Sequence, residues 1–275
     1  MSEYALPDSL APTPSRPVLE LFSLHGRTAL VTGGSRGIGK SIAIALAQAG
    51  ARVILVQRDV TMSATKDAIN ALPGSAGAAV VQGDLANLDD CSLIFQRALD
   101  SAPEGIDILV NCGGMLMRED SVNVTRADWN TVLDVNLNSL FILSQHAGEH
   151  FISRKRGKII NVASLNSFIG GFRVASYSAA KGAVLQLTKA LSNEWARYNI
   201  NVNAIAPGSI ATDINTEARK NPEFIQSRLL GTPGGRWGAP EDFAGVAVFL
   251  ASQASSFITG EVITVDGGAM AKGPI

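Results

Sequence analysis

The chain has 275 residues, 46% hydrophobic and 17% charged, which is enough apolar surface for a large core and excludes a disordered polypeptide. Lys and Arg number 23 against 24 Asp and Glu, and a formal net charge of −1 lacks the basic excess of a nucleic-acid binder. No apolar run reaches the length of a membrane span, and two cysteines, Cys91 and Cys112, cannot build a disulfide framework, so a reducing, cytoplasmic setting is expected.

Residues 1–20 hold Pro7, Pro12, Pro14 and Pro17 and lack the apolar centre of a signal peptide. They read as a Pro-rich N-terminal extension ahead of a single domain over residues 21–275. From Arg27 strand and helix patterns alternate. Strands are expected at 28–32, 52–57, 78–82, 106–111, 158–163, 200–205 and 262–265. Helices are expected at 37–49, 63–72, 89–101, 126–154, 177–198 and 240–251. The strand runs, such as Thr28–Thr32 (TALVT) and Arg52–Gln57 (RVILVQ), are almost continuously apolar, as strands buried on both faces are. The fold class is therefore α/β: a single-domain, doubly wound parallel sheet, Rossmann-like, with helices on both faces. Chemistry in such a fold lies beyond the carboxyl ends of the strands.

The first strand ends in Thr32-Gly33-Gly34-Ser35-Arg36-Gly37-Ile38-Gly39 and runs into a helix. Gly33, Gly37 and Gly39 let the turn close tightly, and the free N–H groups at the helix start face negative charge, so a dinucleotide pyrophosphate fits there. Ser35, Arg36 and Ile38 fall in the same turn. An acid at the end of the second strand would hold the adenosine ribose and repel a 2′-phosphate; that slot holds neutral Gln57, followed by Arg58. Arg58 and Arg36 can pair with a phosphate, although Asp59 competes for Arg58. NADP(H) is the expected cofactor, with NAD(H) as the alternative.

Tyr177 and Lys181 stand four apart in a helical pattern and project from one face. A phenol titrates near pH 10 and is a poor base at neutral pH. Two unit charges about 4 Å apart at an effective dielectric of about 20 interact by about 4 kcal/mol, so the ammonium could lower the phenol by up to about three pK units. A phenol so tuned exchanges a proton with an alcohol or ketone. Ser164 follows the fifth strand, where its hydroxyl could orient a substrate oxygen.

TGGSRGIG, Asp84-Leu85, Asn111-Cys112-Gly113-Gly114, Ser164 with Tyr177-Ser178-Ala179-Ala180-Lys181, and Pro207-Gly208 together resemble the short-chain dehydrogenase/reductase family over about residues 22–270. The resemblance implies that Tyr177 is the proton donor and acceptor, Lys181 binds the ribose and tunes Tyr177, Ser164 holds the carbonyl and Asn136 steadies a water chain. It implies that Asp84 and Leu85 hold the adenine and Asn111 the loop under the ribose. Gly113, Pro207 and Gly208 line the cofactor, and Ile210 and Thr212 meet the nicotinamide carboxamide and phosphate. Members are commonly tetramers built on helices corresponding to 126–154 and 177–198. Where the family usually has Asn-Ala-Gly this chain has Cys112-Gly113-Gly114, and Cys112 reads as a small packed side chain. Enoyl reductases of this superfamily space their tyrosine and lysine more widely, so carbonyl–alcohol chemistry is expected.

Further runs, among them Met117-Arg118-Glu119-Asp120, Gly170-Gly171-Phe172-Arg173-Val174 and Gly235-Arg236-Trp237-Gly238, resemble the 2-dehydro-3-deoxy-D-gluconate 5-dehydrogenase subgroup, which acts on keto-deoxy sugar acids. Arg118 and Arg173 could grip a carboxylate, and Asn166 and Trp237 complete the candidate substrate set. Alternatively Phe168, Phe224 and Trp237 form an apolar lid over a hydrophobic polyketide- or terpenoid-like ketone. A third reading, from another class, is a catalytically silent nucleotide-binding redox sensor, which the full Ser164, Tyr177, Lys181 and Asn136 set disfavours. His146-Ala147-Gly148-Glu149-His150 fits H-x-x-E-H, a zinc-peptidase pattern, but reads as a polar helix face, and no metal is expected.

Overall fold

Alternate residues of a strand point to opposite faces of its sheet, and here both faces are covered. In a computed structural model that describes residues 17–272, β1 (Thr28–Thr32) is buried at every position. Its Ala29 and Val31 enter one core and Leu30 the other. The same division recurs in β2 (Arg52–Gln57), with Val53 and Leu55 on one side and Ile54 and Val56 on the other. Fully burying each such aliphatic side chain contributes about 1.5–3 kcal/mol, which is why the strand sequences are apolar throughout.

The sheet has seven parallel strands in the order β3-β2-β1-β4-β5-β6-β7. The remaining strands are β3 (Ala78–Gln82), β4 (Ile108–Asn111), β5 (Gly157–Val162), β6 (Ile200–Pro207) and β7 (Val262–Val265). One face is covered by α1 (Gly37–Gln48), α2 (Ala64–Asn70) and α8 (Ala244–Ala251). The other carries α3 (Leu88–Asp100), α5 (Ser139–Arg154) and α6 (Ala175–Trp195). The chain reverses its direction of winding between β1 and β4, which opens a crevice at their carboxyl ends.

The structure departs from the sequence reading in two places. The single helix expected at 126–154 is two, α4 (Arg126–Leu133) and α5, joined by a π-turn at Asp134–Asn138. Asn136 causes the widening: its side-chain amide donates to the Val132 carbonyl at 2.9 Å, one turn back. An unforeseen helix, α7 (Pro222–Leu230), stands in the long connection after β6. Asn221 caps it by accepting from the Glu223 and Phe224 N–H groups, with Pro222 at the first helical position. Of the expected N-terminal extension, residues 1–16 lie outside the described residues. Residues Val18–Phe22 form a short 3-10 turn whose Phe22 ring sits 6.2 Å from that of Phe249.

Candidate active site

The glycine turn and the loop after β4 meet at the crevice. Gly33 has φ +65°, and a Cβ there would stand 2.9 Å from the Gly113 Cα, so only glycine lets the two backbones approach. Thr32 stitches the loops together: its Oγ1 accepts from the N–H groups of Cys112 and Gly113, each at 3.0 Å. Leu85 packs against Gly113, and the Thr212 methyl lies 3.6 Å from where a Gly37 Cβ would be. Gly33, Gly37, Leu85, Gly113 and Thr212 therefore border one cleft.

At the end of β2, Gln57 is buried and its amide donates to the carbonyls of Asp59 at 3.0 Å and Met62 at 2.8 Å. The side chain thus braces its own turn. Asp59 does not compete for Arg58, because its carboxylate accepts from the Thr61 N–H at 2.9 Å and hydroxyl at 2.6 Å. Those bonds hold the Asp59 pKa below its ordinary value. Arg58 is exposed and forms no ion pair among the described residues. Arg36 stands at the N-cap position of α1 with no side-chain cap bond and meets Asp213 at 3.6 Å, but both are largely exposed and such a pair is weak.

Asp84 and Asn111 have structural partners of their own. Asp84 Oδ1 accepts from Ala86 N–H at 3.0 Å, and its own N–H donates to Asp90. The Asn111 amide donates to Ser144 and to Asn161, both at 3.0 Å, and Asn161 continues to Thr188. This buried chain ties β4 and β5 to α5 and α6 beneath the loop. Gly208 leaves room for Asp266, whose Cα would be 2.7 Å from a Cβ, so Pro207-Gly208 ends β6 hard against the turn after β7. Ile210 is buried and bridges to Gly238.

Across the cleft, α6 presents Tyr177 and Lys181. Lys181 is 4% exposed, donates to the Val162 carbonyl at 2.7 Å, and places its Nζ 5.7 Å from the Tyr177 ring centroid. Burial pulls its ammonium down to about 8. Burial also pushes the Tyr177 phenol above its ordinary value, while the Ser164 hydroxyl pulls it the other way. This reverses the direction expected from the sequence. In the protein alone, desolvation of the phenolate outweighs the Ser164 hydrogen bond.

Ser164 caps a short turn, Leu165–Ser167, accepting from the Asn166 N–H at 3.1 Å. The sequence reading missed Ser167. Its hydroxyl donates to the Lys181 carbonyl at 2.6 Å and accepts from the Ser164 N–H at 3.3 Å, so it fixes Ser164 relative to α6. Asn136 is fully enclosed; it donates to the Met115 carbonyl at 2.9 Å and accepts from the Met115 N–H at 3.3 Å. A Cβ on Gly114 would sit 2.8 Å from Asn136 Oδ1 and 3.9 Å from Lys181 Nζ, which places amide and ammonium together beside that glycine. Cys112 packs partly buried at the edge of a core cluster, and burial pushes its thiol up to about 12, so it stays a thiol.

Of the candidate substrate residues, Arg118 and Trp237 meet at Phe224, whereas Arg173 and Asn166 are held by other partners. Arg173, in a left-handed conformation (φ +60°), is held by Asp120 at 3.0 Å and Glu119 at 3.5 Å. Arg118 stacks on Phe224 with its Cζ 5.9 Å from the ring centroid. The Trp237 ring lies 6.0 Å from Phe224, and its buried indole N–H finds no acceptor among the described residues. The Asn166 amide packs against Gly171. The H-x-x-E-H pattern has a structural explanation. His150 accepts from Ile106 N–H at 3.2 Å and meets the Arg154 guanidinium at 3.0 Å, and burial followed by Arg154 lowers its pKa. A guanidinium in that position disfavours a metal cation.

Residues 33–270 match the family described as Enoyl-(Acyl carrier protein) reductase. The chain is 46% identical to the 2-dehydro-3-deoxy-D-gluconate 5-dehydrogenase of Pseudoalteromonas atlantica, over 93% of this chain and 100% of the relative. It is 44% identical to the Bacillus subtilis protein of the same name, over 92% and 98%. The crystal structure of a gluconate 5-dehydrogenase from Burkholderia cenocepacia J2315, in complex with NADP and tartrate, superposes with a TM-score of 0.88 at 36% identity, covering 94% of this chain and all of that one. With this likeness spanning the sheet, the glycine turn and the Tyr177–Lys181 helix alike, the chain belongs to the short-chain dehydrogenase/reductase family.

Proposed function

We propose that this protein is an NADP(H)-preferring oxidoreductase that interconverts a secondary alcohol and a ketone on a keto-deoxy sugar acid. The observation that carries this reading is the buried Lys181 ammonium beside the Tyr177 phenol, with Ser164 acting on the same hydroxyl. When bound, the nicotinamide supplies or accepts the hydride. The chain's own residues do the rest. Ser164 holds the substrate oxygen, and Tyr177 gives that oxygen a proton as the ketone becomes an alcohol and takes it back in the reverse sense. With its pKa raised, the phenol holds its proton in the protein alone and would yield it once the bound nicotinamide lowers that pKa. Asn136 fixes the loop at Met115 close to Lys181, where replacement protons would enter.

The residues fit a dinucleotide. The Gly33–Gly113 approach leaves the crevice floor as bare backbone, and the β2 end offers a neutral Gln57 and an unpaired Arg58 rather than an acid. Arg58→Ala is expected to weaken NADPH binding at least tenfold and NADH binding less than twofold, measured by nicotinamide fluorescence titration. Equal losses would remove the phosphate contact from the account.

The relatives' names favour alcohol–ketone chemistry on sugar acids, whereas the family description names enoyl reduction. The tyrosine–lysine spacing of four favours the former. A substrate panel with NADPH decides: a keto-deoxy sugar acid, a bulky hydrophobic ketone and an enoyl thioester. The expected result is a kcat/KM at least tenfold higher for the sugar acid. Reduction of the enoyl thioester alone, or of nothing in the panel, overturns the reading.

The protein further reads as a cytoplasmic homotetramer. Leu137, Phe141, Ala183 and Leu187 line an apolar groove of about 450 Å³ between α5 and α6, and Phe141 is 42% exposed. An apolar face of this kind calls for a covering partner, and a second copy of the chain is the partner the family implies. Phe141→Glu is expected to lower the mass seen by light scattering; an unchanged mass contradicts this interface.

A further inference from the structure

Helix α7 has no buried residue, so it rests on the cleft through its contacts rather than through a core. Those contacts centre on Phe224. The Arg118 guanidinium, from the loop after β4, lies 5.9 Å from the ring centroid, and that of Arg228, one turn along α7, lies 5.1 Å from it. Trp237 completes the group. Stacking on an aromatic face positions a guanidinium without neutralising it or using its N–H donors.

The nearby carboxylates are already engaged. Glu119 and Asp120 both bind Arg173, and neither Arg118 nor Arg228 has a carboxylate partner among the described residues. The Arg118 guanidinium is pulled below its ordinary pKa, first by burial and then by repulsion from Arg228 and Arg173. Two cations on one ring, with N–H forks that no carboxylate engages among the described residues, suit an anion. The loops also place it by the cleft. The Glu119 N–H donates to the Arg173 carbonyl at 3.0 Å, which joins the Arg118 loop to the segment leading into α6 and Tyr177. Trp237 adjoins Gly238, which bridges to Ile210 in the loop just after β6.

We propose that Arg228 on α7 is a specificity-determining residue that, with Arg118, grips the carboxylate of an acidic substrate over the Phe224 ring. This rests on the sugar-acid reading above and assigns the carboxylate to α7 rather than to Arg173. An anion between the two forks offsets their mutual repulsion, so the pair that already shares the Phe224 ring is poised for a carboxylate. Phe224 then serves as the platform for the guanidinium pair rather than as part of an apolar lid.

The test measures NADPH-dependent turnover of the keto-deoxy sugar acid by wild type, Arg118→Gln, Arg228→Gln and the double variant. NADPH affinity is measured alongside, and thermal melting confirms folding. Arg197→Gln, which removes a guanidinium stacked on Tyr198 at the far end of the sheet, controls for net charge. Each single variant is expected to raise KM at least tenfold while kcat changes less than threefold, the pattern of lost ground-state binding. The double variant should raise KM by less than the product of the two single effects, because both groups act on one carboxylate. Arg228→Lys should restore part of the affinity. If wild type turns over the sugar acid and Arg228→Gln keeps its KM within twofold, the inference is wrong and the proposed function stands. If wild type ignores the sugar acid but reduces a neutral ketone, the substrate reading fails as well.

Discussion

Tyr177→Phe is expected to lower kcat by about 10²–10⁴-fold, the usual worth of a positioned general acid, while the NADPH dissociation constant changes less than about threefold. The change removes one oxygen and keeps the ring on which Lys181 lies at 5.7 Å. Ser164 stays where Ser167 and the Asn166 N–H hold it. The substrate oxygen can therefore still bind, but no group in reach exchanges its proton. Cys112, the other titratable side chain beside Lys181, is held up to about 12 and is a weak substitute. Retention of wild-type rates by this variant would remove Tyr177 from the chemistry.

Lys181→Met is expected to be as inactive as the tyrosine variant and yet at least as stable as wild type at pH 7. Burial lowers the lysine from 10.5 to about 8, so folding with the charge in place costs about 3 kcal/mol below pH 8. In this sense the sign is unfavourable: the unfolded chain keeps its proton up to pH 10.5, the folded chain sheds it near 8, and the penalty fades between those values. Methionine has similar reach without a charge. It also leaves the Val162 carbonyl without its 2.7 Å donor, at a cost of about 1–3 kcal/mol. The two effects leave the variant neutral to about 2 kcal/mol more stable at pH 7, and its advantage should shrink and then reverse as pH rises toward 10. Denaturant melts at pH 7 and pH 10 read this directly. A variant much less stable at pH 7 would mean that the lysine supports the fold rather than the reaction.

Much of this was legible in the residues. Continuous apolar strands and one glycine turn were enough to place a parallel sheet and a nucleotide crevice, because burial on both faces leaves no other pattern. The Tyr177–Lys181 pairing followed from helical spacing. Three features were not legible. The π-turn at Asn136 depends on a side chain replacing a backbone donor to Val132, which periodicity does not report. Helix α7 has a weak apolar pattern and no buried residue, although Asn221-Pro222 was a usable start signal. The direction of the Tyr177 shift turned on burial of both partners, which a spacing cannot supply. Arg118 and Arg173 likewise looked equivalent until Glu119 and Asp120 were seen on one and not the other.

The account turns on Tyr177 yielding its proton only when the site is loaded. Phenolate absorbance, titrated with and without NADP⁺ in wild type and in Tyr177→Phe, tests it directly. A phenolate that titrates above its ordinary range in the protein alone, moves down by at least one pH unit once NADP⁺ is added, and vanishes in the variant is the predicted result. A Tyr177 titration that NADP⁺ leaves unmoved would contradict it.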